Sequence, residues 1–152
     1  MRRLVVSGLL TAICAMAGGQ PVPAGWKVLK DEKGVCQVAV PANWRVAPAG
    51  MNASLGSLME NMATVTSDVD RLQPMPETAQ KILGVTKMIE NTDQRVFYFS
   101  RTEYRGNVAL GYHTSVPGKG GKGRCHVAVG FKAGMVTDDV AKQIALTLAP
   151  VQ

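Results

Sequence analysis

Histidines, aromatic rings and motif-bearing cysteines are scarce in this chain of 152 residues, and each scarcity removes a class of chemistry. Two histidines leave few general bases. No Gly-x-Ser-x-Gly elbow accompanies them, so the nucleophile, base and orienter of an acyl-transfer enzyme are not spelled out. Aromatic residues make up 5% of the chain, too few for sugar platforms beside paired carboxylates or for stacking single-stranded nucleic acid. No Cys-x-x-Cys pair suggests a redox motif or a zinc site. The glycine-rich run Gly118 to Gly123 superficially resembles a phosphate loop. It lacks Ser or Thr after a Gly-Lys, and it precedes an expected strand instead of a helix. No internal repeat is visible.

What is present begins with an export signal. Met1-Arg2-Arg3 supplies a positive start, and Leu4 to Ile13 is apolar except for Ser7, Gly8 and Thr11. Ala15-Met16-Ala17 is a small-x-small cleavage site. The apolar stretch falls short of the about 20 residues that span a bilayer, so no transmembrane segment is expected after cleavage. Thr11-Ala12-Ile13 before Cys14 does not make a lipobox, and Leu4-Val5-Val6 does not continue a twin-arginine pattern. Residues 1–17 are therefore read as a signal peptide, and the mature chain as periplasmic or secreted. Arg2 and Arg3 leave with the signal, so 15 of the 17 basic residues remain against 11 acidic ones, a net charge of +4. The one concentration is Lys119, Lys122 and Arg124 in the glycine loop. No aromatics interleave with them, so nucleic acid is not an expected partner.

Cleavage also removes Cys14 and leaves Cys36 and Cys125. An even pair in an oxidising compartment reads as a disulfide. Closing so long a loop contributes about 4 to 5 kcal/mol in the chain-entropy account.

Residues 18–25 read as a Pro-rich, disordered leader, and residues 26–152 as a single domain, within the usual length for one. Trp26 to Lys30 reads as a strand. Val35 to Val40 alternates, with Cys36, Val38 and Val40 on one face, and Pro41-Ala42-Asn43-Trp44 closes it. Residues 47–56 read as loop. Leu58, Met59 and Met62 allow a short helix, but Thr64-Val65-Thr66 favours a strand from Met62 to Val69. Pro76 opens an expected helix from Glu77 to about Glu90, with Ala79, Ile82, Leu83 and Ile89 on one side and Gly84 as a weak point. Arg95 to Arg105 reads as a strand, Gly106-Asn107 as a turn. The next strand puts Leu110, Tyr112, Thr114 and Val116 on one face. After the glycine loop, Cys125, Val127, Val129 and Phe131 face the core opposite Arg124, His126 and Lys132. A C-terminal helix starts with Thr137 as N-cap and Asp138-Asp139 at its positive end, repeats Val140, Ile144 and Leu148, and ends at Pro150.

This order implies an α+β fold, a mainly antiparallel sheet with a mid-chain helix and a C-terminal helix packed on it. A strand ending in Val40-Pro41-Ala42-Asn43-Trp44, and a closing Cys125 to Phe131 strand followed by Thr137 to Leu148, resemble the two ends of the Mog1/PsbP-like fold. The resemblance implies a small exported bacterial domain of accessory or binding type, and no particular ligand.

If Leu110 and Tyr112 face the core, Val127 and Val129 must do so on the partner strand. The register centred on the glycine loop pairs Tyr112 with Val127 and His113 with His126. Both histidines then project from the solvent face, about 5 Å apart at Cβ, which raises the question of a shared zinc, copper or nickel ion. No third ligand is identifiable, so no metal or other cofactor is assigned. A register shift of one residue separates the pair. The functional expectation is an exported non-enzymatic binding or accessory domain. Its partner is an unknown small molecule or envelope protein, seated in the sheet's uncovered concavity or beside the loop from Pro117 to Gly123. The alternative is a small secreted hydrolase using His113 or His126 as general base. A third reading has the basic loop hold the protein to anionic envelope surfaces, in a salt-dependent way.

Overall fold

A computed structural model describes residues 20–46, 61–132 and 137–152. The expected signal peptide and the loop expected at 47–56 lie outside them. Nine strands form two sheets among the described residues: β1 (Trp26–Lys30), β2 (Cys36–Pro41), β3 (Arg45–Val46), β4 (Met62–Asp68), β5 (Val85–Asn91), β6 (Val96–Tyr104), β7 (Asn107–Pro117), β8 (Arg124–Phe131) and β9 (Ala149–Pro150). Two helices accompany them, α1 (Glu77–Ile82) and α2 (Asp138–Leu146). The smaller sheet has the order β1-β2-β9, the larger β3-β4-β8-β7-β6-β5. All pairings are antiparallel except the short β3–β4 contact. The α+β class read from the alternation is the observed one.

One face of the large sheet carries the main core. Val127 and Val129 of β8 are fully buried against Val38 and Val40 of β2 and against Ile144 of α2. Helix α2 buries Ala141, Ile144 and Ala145, the stripe its period demands. Its last turn is tied to β2 through Thr147. That buried hydroxyl accepts the Ala39 N–H at 2.9 Å and lies 2.7 Å from the Ile144 carbonyl. Trp44 closes one edge of the core at 5% exposure. Cys36 of the small sheet is bonded to Cys125 of the large one, with Cα atoms 5.5 Å apart and 89 residues between them in sequence. The disulfide therefore joins the two sheets across the core.

Asp31 builds the turn that delivers Cys36 to this bridge. Its carboxylate accepts the N–H groups of Val35 and Cys36, both at 2.8 Å, and the Ser67 hydroxyl at 2.6 Å. Burial alone raises this carboxyl group's pKa, but the Ser67, Cys36, Val35 and Lys33 donors together hold it below the usual carboxylate value.

Four local expectations need correction. The mid-chain helix stops at Ile82, where a fourteen-residue run was expected to continue to about Glu90. Gly84 then takes φ +65°, a left-handed geometry that ends a helix cheaply only at glycine, and a Cβ there would lie 3.0 Å from the Arg101 carbonyl oxygen. The following residues pair with β6 as the edge strand β5, Val85 opposite Ser100 and Lys87 opposite Phe99, with Thr86 at an irregularity between them. Helix α1 buries nothing, and Ile82 is 84% exposed. At the C-terminus the helix ends at Leu146, before Pro150, which instead pairs with Cys36 in the smaller sheet. Thr137 occupies the N-cap position without a side-chain capping bond. The β6–β7 turn is Arg105-Gly106, with φ of 50° and 77°, so Asn107 already belongs to β7. Two positive φ values in a two-residue loop are what the twist of a tight hairpin requires. Before β1, the Gln20 N–H bonds the Leu146 carbonyl at 3.2 Å, which fastens the start of the described chain to the end of α2.

Candidate binding cleft on the histidine face

The second face of the large sheet carries the histidines. Strand alternation sends Tyr98 and Ser100 of β6, His113 and Ser115 of β7, and His126 of β8 to the side opposite the main core. The expected parity holds, and the expected register does not. Tyr112 pairs with Val129, His113 with Ala128, and His126 with Ser115. The strands close at Pro117–Arg124, so the loop spans Gly118 to Gly123, bridged by the Gly118 N–H to the Gly123 carbonyl at 3.0 Å. Gly120, Gly121 and Gly123 all adopt positive φ, and a Cβ on Gly123 would collide with the Asp68 carbonyl. With the loop closed in this way, each β7 residue meets a β8 partner two positions further along the chain than the expected register has it. A shift of two keeps every side chain on its face, so the histidines remain neighbours, now diagonal, with ring centroids 5.9 Å apart.

Nor are the histidines on a bare solvent face. Tyr98 stacks on His113 at 4.6 Å with an interplanar angle of 4°, and both histidines are half-buried. Ser100 Oγ lies 3.0 Å from His113 Nε2, and Ser115 Oγ lies 2.9 Å from His126 Nδ1. Gly111 makes room for the first pair, because a Cβ there would meet His113 Nε2 at 3.0 Å and Ser100 Oγ at 3.4 Å. Burial pushes His113 down to about 3, with the positive charge of a protonated His126 adding to the effect. Burial likewise pushes His126 down to about 4, assisted by Arg124. Both rings are therefore neutral at pH 7, and each has one nitrogen engaged by a serine. Among the described residues no group of three or more His, Cys, Asp or Glu side chains converges to hold a metal ion.

The cover over this face is the segment 70–76. Two prolines, Pro74 and Pro76, keep it extended, and Asn91 of β5 holds it at Met75. The Asn91 side chain accepts the Met75 N–H at 2.6 Å and donates to the Met75 carbonyl at 3.0 Å. Gln80 of α1 donates to the same carbonyl at 3.1 Å. Beneath the strap, Leu72, Val96 and Tyr98 form a second small core with Met75, Val85 and Met88 packed against it.

Between strap, helix and sheet lies a cleft of ≈ 470 Å³. The strap and Ala79 and Leu83 form its walls, and Val96, Ser115 and Arg124 form its floor. Its volume falls within the range of small-molecule sites, and its lining is divided between apolar residues and the polar Asp70, Arg71, Gln73, Ser115 and Arg124. Arg124 has one guanidinium nitrogen 2.8 Å from Asp68 Oδ2. The Asp70 N–H, followed by Arg124, holds the Asp68 carboxyl below its ordinary value. A shallower recess of ≈ 320 Å³ lies beside the glycine loop, between Lys33, Ser67 and Lys122. It lacks the buried hydroxyl–imidazole pair of the larger cleft.

Of the residues the sequence singled out, Cys36 and Cys125 meet in the disulfide. His113 and His126 share the second face, with only His126 reaching the cleft, through Ser115. The sequence reading missed Ser115, Ser100, Arg124 and Asn91 as members of the site. Ser115 was recoverable in principle, since it shares strand parity with His113. Asn91 was not, because it falls just beyond a helix expected to run to about Glu90, where the structure has the edge strand β5. Comparison with protein-family models, curated proteins and solved structures finds no match for this chain.

Proposed function

We propose that the chain is an exported, non-enzymatic binding or accessory domain, stabilised by the Cys36–Cys125 disulfide, whose ligand occupies the cleft beneath the 70–76 strap. The observation that carries this reading is the cleft itself: a hollow of mixed apolar and polar lining whose floor presents the Ser115 hydroxyl, backed by a neutral imidazole. Such a floor can orient a ligand through its fixed polar groups. Export is supported by the sequence of residues 1–17 and by the disulfide. Membership of the Mog1/PsbP-like fold belongs to the same proposal, supported by the turn at Trp44 and by β8 leading into α2. A fragment library screened by amide chemical-shift changes on the mature, oxidised protein tests the reading. Shifts clustered at Val96, Ser115 and Arg124 support it, and a library that leaves those amides unmoved overturns it.

One observation favours the hydrolase alternative. Ser115 and His126 form a hydroxyl–imidazole pair at 2.9 Å facing a cleft. Against it, an imidazole whose conjugate acid is pushed down to about 4 is a weak base, and among the described residues no carboxylate bonds the ring. Turnover of activated esters that disappears in His126→Ala or Ser115→Ala would replace the binding reading with this one.

A further inference from the structure

The cleft's polar groups are not distributed at random around its lining. Arg71 and Arg124 both line it, and Asp70 is the one acidic residue among its lining residues. Asp68 occupies one nitrogen of Arg124 and fixes the guanidinium at the floor, beside Ser115. Guanidinium groups offer a fork of N–H donors that matches the oxygens of a carboxylate or a similar oxyanion. The apolar remainder of the lining, Leu72, Met75, Leu83 and Val96, extends away from that corner beneath the strap and along the end of α1. Leu72 and Val96 are 8% and 3% exposed, so this surface is a fixed wall.

The Ser115–His126 pair adds a donor that depends on which ring nitrogen carries the hydrogen. A neutral imidazole has one N–H. If His126 Nδ1 accepts from Ser115, the hydroxyl has only lone pairs left for the cleft. If His126 is the Nδ1–H tautomer, the ring donates to Ser115 Oγ, and the hydroxyl hydrogen is free to be donated into the cleft. An anion at the floor selects the second arrangement. Asp68 and Asp70 offset much of the charge of the two arginines, which suits a singly charged group better than a phosphate dianion.

Resting on the reading of the cleft as a ligand site, we infer that its ligand is an amphipathic monoanion, an organic carboxylate with an apolar tail. Its head is received by Arg124 and the Ser115 hydroxyl, and its tail lies along Leu72, Met75 and Val96. His126 is a positioning residue, acting through Ser115.

Octanoate and octanamide, equal in length and different in charge, are the probes. Titrated into the mature, oxidised protein at pH 7, octanoate is expected to move the amides of Val96, Ser115 and Arg124. Its Kd should be at least tenfold tighter than that of octanamide. Saturation with octanoate should also move the His126 ring nitrogens to the shifts of the Nδ1–H tautomer, a signature that general apolar contact does not produce. Arg124→Gln should weaken octanoate about tenfold and leave octanamide unchanged. Because that substitution also breaks the Asp68 pair, the comparison of the two probes on the unaltered protein is decisive by itself. Equal affinities for the two, or an unmoved His126 tautomer, would overturn the anion inference and leave the cleft as a ligand site. Fragment hits in the cleft with no response to octanoate would do the same. Silence of the cleft amides to the probes and to the fragment library alike would sink both readings.

Discussion

Asp31→Asn removes one negative charge from a buried turn and keeps the shape of the side chain, so it isolates what the charge contributes. The carboxylate is 8% exposed and accepts four protein donors, Ser67 at 2.6 Å, Val35 and Cys36 at 2.8 Å and Lys33 at 3.4 Å. In the amide, one oxygen still serves Val35 and Cys36, while the NH2 group cannot accept from Ser67 or Lys33. Hydrogen bonds to charged groups contribute about 1.5 to 3 kcal/mol each. Ser67 can rotate to accept from the new NH2, so we expect a loss nearer the low end, about 2 kcal/mol. For a domain of this size that lowers Tm by roughly 6 to 10 °C. Asp31→Ala also strands the buried N–H groups and should cost more. The pH dependence supplies a second readout. The folded carboxyl titrates below the ordinary aspartate value of 3.8, so it binds fewer protons than the unfolded one in the window between them. Its stabilisation is complete above the unfolded pKa and is lost as pH falls through the folded pKa. Urea unfolding of the two proteins from pH 7 to pH 2 should therefore show a constant gap down to about pH 5 that narrows below pH 4. A gap of equal size at pH 2, or none at pH 7, would refute the account of Asp31 as a charged hub.

Three other perturbations follow from buried groups. The Thr114 hydroxyl is buried at 1% exposure with no hydrogen-bond partner among the described residues, so Thr114→Val should raise stability by up to about 1 kcal/mol in chemical denaturation. His113 and His126 titrate well below the ordinary histidine value of 6.5. The unfolded chain then binds more protons between pH 6.5 and about 4, so stability should be full above pH 6.5 and decline as pH falls through that window. His113→Phe, which keeps the stack on Tyr98, should flatten that decline in thermal melts, and an unchanged slope would contradict the burial of a neutral ring. Replacing both Cys36 and Cys125 by alanine should cost about 4 to 5 kcal/mol in urea unfolding.

How far the sequence reached is clearest in the β7–β8 hairpin. The alternation of Leu110, Tyr112, Val127 and Val129 specified which residues face the core, because side chains on a strand repeat every two residues. It could not choose between two registers that differ by two, since both bury the same residues. The choice was made by the loop, where three glycines at positive φ and the close approach of Gly123 to Asp68 set how many residues the turn consumes. The same limit appears in the run after Pro76. The apolar residues Ile82, Leu83 and Ile89 fit a helical face, yet Ile82 is exposed, and Gly84 is where the chain leaves the helix for the sheet. Helix propensity is a small local term, and an unpaired edge beside β6 offered a row of backbone hydrogen bonds that outweighed it.

The sequence by itself determined the α+β class, the inward faces of the strands, the expected pairing of Cys36 with Cys125, and the stripe that seats α2. These depend on side-chain period and on the count of thiols, both properties of the linear chain. Only the tertiary structure decided the diagonal placement of His113 and His126, their serine partners, and the cleft. The first two follow from the β7–β8 register set at the glycine loop, and the cleft from segment 70–76, which has no periodicity of its own and is fastened to Asn91 of β5. Contacts between elements distant in sequence are set by the energy of the assembled chain, and no local pattern encodes them.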